Sequence, residues 1–276
     1  MNDSRALRAE FLGRPGDRIF ALLHTPSAAR ARGCVLFVPP FAEELNKSRR
    51  MMAQAARALA QSGLAAATVD LYGTGDSDGE FEQATWDRWV SDVCVAEEWC
   101  AHEGYPVRSV VGIRVGCALA AAAAARFREP VQSAVFWQPV PAGARVLEQF
   151  LRLRVAASMM EQDRKETVKD LRDRLRHGET LEVAGYQLSS ALAAAMDAIN
   201  LAELAGPATD SIHWMDVVRE QKPPTPPTAS ALESLRSRGR TVAYHQIIGE
   251  PFWSSTEIVS IPDLLARTVD VLRAAA

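Results

Sequence analysis

Short apolar runs alternate along this chain with amphipathic stretches of helical period. Arg18–His24 is a short apolar run ending at Thr25-Pro26, and Gly33–Val38 is apolar almost throughout, as a strand covered on both faces must be. Pro39-Pro40 stop that strand, because proline cannot donate to a ladder. Ser48–Ser62 then carries the period of a helix closed by Gly63. Leu64–Asp70 predicts another buried strand and Leu71–Gly79 a polar loop, while Thr85–Gly104 predicts a helix capped by Thr85 or Asp87. Strand Ser109–Val111, helix Cys117–Arg126 and strand Ala134–Trp137 follow. Between Gly143 and Ala205 the strand signal vanishes, and charge alternates in sign along Glu161–Arg176. A strand returns at Ser211–Val218, and Pro223–Pro227 forms a stiff surface link. Helix Ala229–Arg238, strand Thr241–Ile248 and helix Ile261–Ala274 complete the pattern.

Such alternation implies parallel βαβ units with right-handed crossovers. The expected organisation is a core of residues 1–142 and 206–276 with a helical cap, 143–205, over the sheet's carboxyl edge, all in one compact domain. With 276 residues the chain can bury a substantial core. A net charge of −3 without a long basic block gives no reason to expect nucleic acid as a partner. Cys34, Cys94, Cys100 and Cys117 form no C-x-x-C pair, which suits buried, reduced thiols. No His/Cys/Asp cluster has metal-ligand spacing, and no cofactor fingerprint stands out. Met1–Arg5 does not open a signal peptide, and Arg114 and Arg126 bracket the apolar stretch Ala118–Ala125 too closely for a membrane span. The chain is expected to be cytoplasmic and not membrane-spanning.

Val110-Val111-Gly112-Ile113-Arg114-Val115-Gly116 runs from strand into helix through a turn with glycine on either side. This is the layout of the nucleophile elbow, G-x-S-x-G, with arginine at the serine position. Bulk at either glycine would strike the neighbouring strand and helix. Asp70-x-x-Gly73-x-Gly75-x-Ser77 resembles the turn after the fourth strand of many α/β-hydrolases. Together these motifs predict an α/β-hydrolase fold, a mostly parallel central sheet with helices on both faces. As a nucleotide loop, Gly73-Thr74-Gly75 has the wrong spacing.

A working member would present serine, acid and histidine in that order. Asp216 stands where the acid could lie, or is a strand or helix-cap residue. The loop after the last strand, Gly249-Glu250-Pro251-Phe252-Trp253, has no histidine, and His213 and His245 fall inside strands. Arg114 would stand at a helix N-terminus, where the dipole and a planar donor both favour an anion. Glu43, Glu44 and Glu250 are expected to converge on it from loops. Either one of them neutralises Arg114 and closes the site, or the group binds a small polar or anionic ligand with Phe41, Ala42, Val115 and Trp253. Cys117 and the Phe252-Trp253 pair suit packing better, Ser77 a structural role in its loop, and Asn46–Arg50 a solvated helix start.

Pro39-Pro40-Phe41-Ala42-Glu43-Glu44, Asn46–Arg50, Asp70-Leu71-Tyr72-Gly73, Gly75-Asp76-Ser77, Thr85-Trp86, Gly112-x-Arg114-x-Gly116, Phe136–Pro139 and Gly249–Trp253 through Thr256-Glu257-Ile258 resemble the exosortase A system-associated hydrolases of the second type. The resemblance spans nearly the whole chain and is weakest in the cap. It implies a bacterial α/β-hydrolase-fold protein of an exosortase and exopolysaccharide system, with a possible partner protein in that pathway. Arginine at the elbow belongs to that pattern. Two function classes follow. One is a ligand- or partner-binding pseudo-hydrolase. The other is an ester or thioester hydrolase in which Glu43, Glu44 or Glu250 activates water, while Arg114 and the N–H groups of Phe41, Ala42 and Val115 stabilise the oxyanion.

Overall fold

The computed structural model describes residues 7–26, 33–160, 166–205, 209 and 211–275. The amino-terminal pentapeptide and the start of the charged run at 161–165 lie outside them. Among the described residues, eight strands form one sheet: β1 (Leu7–Leu12), β2 (Ile19–His24), β3 (Cys34–Val38), β4 (Ala65–Asp70), β5 (Val107–Ile113), β6 (Ser133–Trp137), β9 (Ser211–Val218) and β10 (Thr241–Ile248), in the spatial order β1-β2-β4-β3-β5-β6-β9-β10. β1 and β2 pair antiparallel, as do β2 and β4, and every other pairing is parallel. The reversal of strand order at β3 opens a crevice at the carboxyl ends of β3 and β5, the place where such sheets bind ligands.

Helices α1 (Glu43–Gln61) and α9 (Pro262–Ala274) cover one face, where Met51, Leu59, Leu264 and Leu272 pack on Phe37, Ile113 and Trp137. On the other face lie α2 (Trp86–His102), α3 (Gly116–Ala124) and α8 (Pro226–Ser237). Trp137 ties the sheet to α9 by donating its Nε1–H to Thr268 Oγ1 at 2.9 Å. Thr85 caps α2 by accepting the Arg88 N–H. Ser77 holds the loop after β4 to the sheet, donating to the Asp70 carbonyl at 2.6 Å and accepting the Phe20 N–H at 2.8 Å.

Between β6 and β9 run α4 (Gly143–Met160), α5 (Val168–Arg176), strands β7 (Leu181–Val183) and β8 (Tyr186–Leu188), α6 (Ser190–Asp197) and α7 (Leu201–Ala205). The expectation that this stretch lacks strands is corrected. β7 and β8 form a hairpin whose turn, Ala184-Gly185, has φ of 52° and 85°, the mirror-image turn that suits strand twist. β1 was also missed. Its polar Arg8 and Glu10 alternate with Leu7, Ala9 and Phe11 over only six residues, and those apolar residues stay exposed at the sheet's edge. Two of the expected helix starts shift as well. α1 begins at Glu43, so Asn46–Arg50 lies inside it, and Pro226-Pro227 form the first turn of α8, where their missing N–H groups cost nothing. Among the described residues no helix is long and apolar enough to cross a membrane.

Candidate functional site

The elbow is built as its glycines demand. A Cβ on Gly112 would lie 2.4 Å from the Cys117 Cα, and one on Gly116 would lie 2.3 Å from the Pro39 carbonyl oxygen. Between them Arg114 takes φ +55°, a left-handed conformation held by the surrounding packing. Its N–H donates to the Trp137 carbonyl at 2.9 Å, and α3 begins two residues later.

The Arg114 side chain is only 9% exposed. Its Nε donates to Glu44 Oε1 at 3.0 Å, one NH2 donates to Gln149 Oε1 at 2.9 Å, and its Cζ lies 5.2 Å from the centre of the Trp253 ring. The contact with Glu44 is single-pointed. Glu44 Oε2 is buried without a partner, and so is Glu43 Oε2. Burial pushes the Glu44 carboxyl above its ordinary range against the pull of Arg114. Burial, with help from the neighbouring Glu44, raises Glu43 from 4.5 to about 7. Both carboxyls therefore hold their protons more tightly than a solvated glutamate does.

These groups border a cavity of about 390 Å³, walled by Phe41, Val146, Phe150, Leu153 and Trp253. Phe41 is fixed edge-on against Phe150 at 5.0 Å and also meets Phe81 and Trp89, so the apolar wall is rigid. Ala42 precedes α1 at φ 50°. Among the described residues, the backbone N–H groups of Phe41, Ala42 and Val115 have no acceptor.

The structure thus brings Phe41, Glu43, Glu44, Arg114 and Trp253 to one cavity, with Ala42 and Val115 beside its lining in the chain, and it differs from the sequence expectation in two ways. Glu43 and Glu44 come from the first turn of α1 and not from a loop. Glu250 does not join them: it is half-exposed and accepts Arg219 NH2 at 2.9 Å, because its loop turns it outward. Asp216 has both oxygens occupied, by Trp214 Nε1–H at 2.8 Å and Tyr244 O–H at 3.0 Å. His213 and His245 face each other across adjacent strands, Nδ1 to Nε2 at 3.3 Å, and neither lines the cavity. Cys117 is fully buried, and burial raises its thiol well above the usual range. Of Asn46–Arg50, Arg49 binds Asp70 at 2.9 Å and Lys47 reaches the Ser254 carbonyl at 3.4 Å. Gln149 was missed, since a lone glutamine in a charged helix carries no signal until that helix is placed over the elbow.

Residues 29–203, from before β3 into α7, match the family of serine aminopeptidases S33. No curated protein matches the chain in sequence. Among solved structures it is similar to Est1E from Butyrivibrio proteoclasticus with ferulic acid bound, at 16% identity and a TM-score of 0.69 over 96% of this chain and 98% of that one. It is also similar to mouse α/β hydrolase domain-containing protein 10, at 16% identity and a TM-score of 0.62 over 98% and 100% of the two chains. XC6422 from Xanthomonas campestris, described as an α/β serine hydrolase without lid, aligns at 14% identity and a TM-score of 0.57 over 98% and 94%. At such identities these likenesses speak to the fold alone. The sheet topology and the family match agree, and the chain belongs to the serine aminopeptidase S33 family, with the α/β-hydrolase fold.

Proposed function

We propose that this chain holds a small polar ligand in the Arg114 cavity without serine chemistry, as a cytoplasmic component of a bacterial exosortase- and exopolysaccharide-associated system in which it meets a partner protein. Residues 143–205 serve as the cap over that cavity. The observation that carries the reading is the pair of buried, unpartnered carboxylate oxygens, Glu43 Oε2 and Glu44 Oε2, beside a guanidinium at the elbow position. A buried carboxyl oxygen left unpaired is costly, so a guest bringing hydroxyl or amine hydrogens supplies the partner that these two oxygens lack among the described residues. Aromatic walls at Phe41, Phe150 and Trp253 would cover its carbon skeleton. The system assignment is supported by the resemblance of the motifs around Phe41, Arg114 and Trp253.

One observation favours a second reading. Glu43 lines the cavity, one of its oxygens has no hydrogen-bond partner among the described residues, and its pKa is raised to about 7, near the value that suits a general base. In that reading Glu43 takes a proton from water as the oxygen adds to an ester or thioester carbonyl. Arg114 and the N–H groups of Phe41, Ala42 and Val115 receive the oxyanion. Collapse then expels the alcohol or thiol, which takes the proton back from Glu43.

Ligand-observed NMR with 1,6-hexanediol, and turnover of p-nitrophenyl acetate and S-phenyl thioacetate, separate the two readings. The binding reading expects diol contact that is lost in Arg114→Ala, with no turnover above background. Turnover abolished in both Glu43→Gln and Arg114→Ala would overturn it in favour of water activation.

A further inference from the structure

A second cavity, about 640 Å³, adjoins the first, and Arg114, Gln138, Gln149 and Trp253 line both. It lies over the carboxyl ends of β9 and β10, beside the loop that leads into α8. Its polarity is the reverse of its neighbour's. Where the first cavity presents Glu43 and Glu44, the second presents Arg145, Arg219 and Lys222.

Not all of that charge is free. Arg219 is held by Glu250, and the buried Asp216 in the wall is already satisfied by Trp214 and Tyr244. Among the described residues Glu220 is the one remaining acid of the lining. Arg145 and Lys222 are exposed, and neither side chain has an acidic partner among the described residues. Arg145 stands one helical turn before Gln149 on α4, so the helix that touches Arg114 also carries a cation over the second cavity. α8 adds no anion site of its own. Pro226 and Pro227 have no N–H, and Thr225 takes the N–H of Thr228.

We propose that the second cavity is a subsite for the anionic end, a carboxylate or phosphate, of an elongated ligand whose hydroxyl- or amine-bearing end lies between Glu43, Glu44 and Arg114. The proposal rests on the reading of the first cavity as a ligand site and specifies the guest. Charge complementarity selects the orientation: Arg145 and Lys222 attract the anion at one end, and above about pH 7, where Glu43 is ionised, the other end repels it. Gln149, Gln138 and Trp253 form the neck through which the chain of the guest passes.

Titration of 6-hydroxyhexanoate, 6-hydroxyhexyl phosphate and 1,6-hexanediol tests this, since the three differ at one end only. Wild-type protein is expected to bind at least one anion roughly tenfold more tightly than the diol at low salt, with the advantage shrinking as salt screens it. In the double variant Arg145→Ala/Lys222→Ala that advantage disappears. Equal affinity for diol and anions, an anion advantage that survives the double substitution, or binding of none of the three would overturn the proposal. Anion binding that depends on Arg145 and Lys222 without any diol binding would sustain the second subsite and overturn the reading of the first cavity.

Discussion

Replacing Glu43 by glutamine should make the protein more stable at alkaline pH. Glu43 carries its proton up to about pH 7 in the folded state, against an ordinary value of 4.5. The native protein therefore binds this proton more tightly than the unfolded chain does. Its contribution is fully present below about pH 4.5, declines as the pH rises through the window, and is gone above about 7. At about 1.4 kcal/mol per pH unit the full rise corresponds to roughly 3 kcal/mol. Glu43 keeps some contact with solvent, and screening reduces the figure to about 2 kcal/mol. Glutamine mimics the protonated acid in shape and charge at every pH. Urea unfolding should therefore give matching stabilities for wild type and Glu43→Gln near pH 4.5. Near pH 8 the variant should be ahead by about 2 kcal/mol with an unchanged m-value. Other titrating groups are common to both proteins and cancel in the comparison. No gap near pH 8, or a gap of the same size near pH 4.5, would refute the reasoning, the latter by showing a packing effect unrelated to ionisation.

Gly116→Ala should cost more than about 3 kcal/mol in chemical denaturation, or abolish soluble expression, because the new methyl meets the backbone oxygen of Pro39 and neither element can yield. Folding with near-wild-type stability would show that the elbow is looser than its packing. Burial depresses both His213 and His245 below the usual histidine range. A depressed histidine binds fewer protons folded than unfolded, so stability is present above about pH 6.5 and falls as the pH drops below it. The double variant His213→Gln/His245→Gln should flatten the fall in Tm between about pH 7 and about pH 5, and an unaltered slope would exclude the pair as its source.

The fold was legible where physics leaves few choices. β3, β4, β5 and β6 are buried on both faces, so their apolar runs survive any loop rearrangement. Gly112 and Gly116 announce the elbow because no other residue fits their neighbours. The hairpin of β7 and β8 escaped notice because strands this short carry too little alternation to separate from loop. The site was legible in part for the same kind of reason. Arg114, Glu43 and Glu44 are tied to strand ends whose positions follow from topology. Glu250 is not, since the direction of a loop side chain depends on its nearest partner, here Arg219. Gln149 depends on where a helix from a distant part of the chain comes to rest, and nothing local encodes that.

The +55° turn at Arg114 is enforced from outside, by the backbone of Pro39 on one side and the first turn of α3 on the other. Whatever side chain occupies position 114 is delivered to the same point in space, and the demand on its chemistry comes from Glu44, Gln149 and Trp253 around its tip and not from the backbone of the turn. Geometry and reactivity can then be inherited separately in such a protein. The turn works as a mount, and what is fitted to it is free to change without rebuilding the sheet beneath.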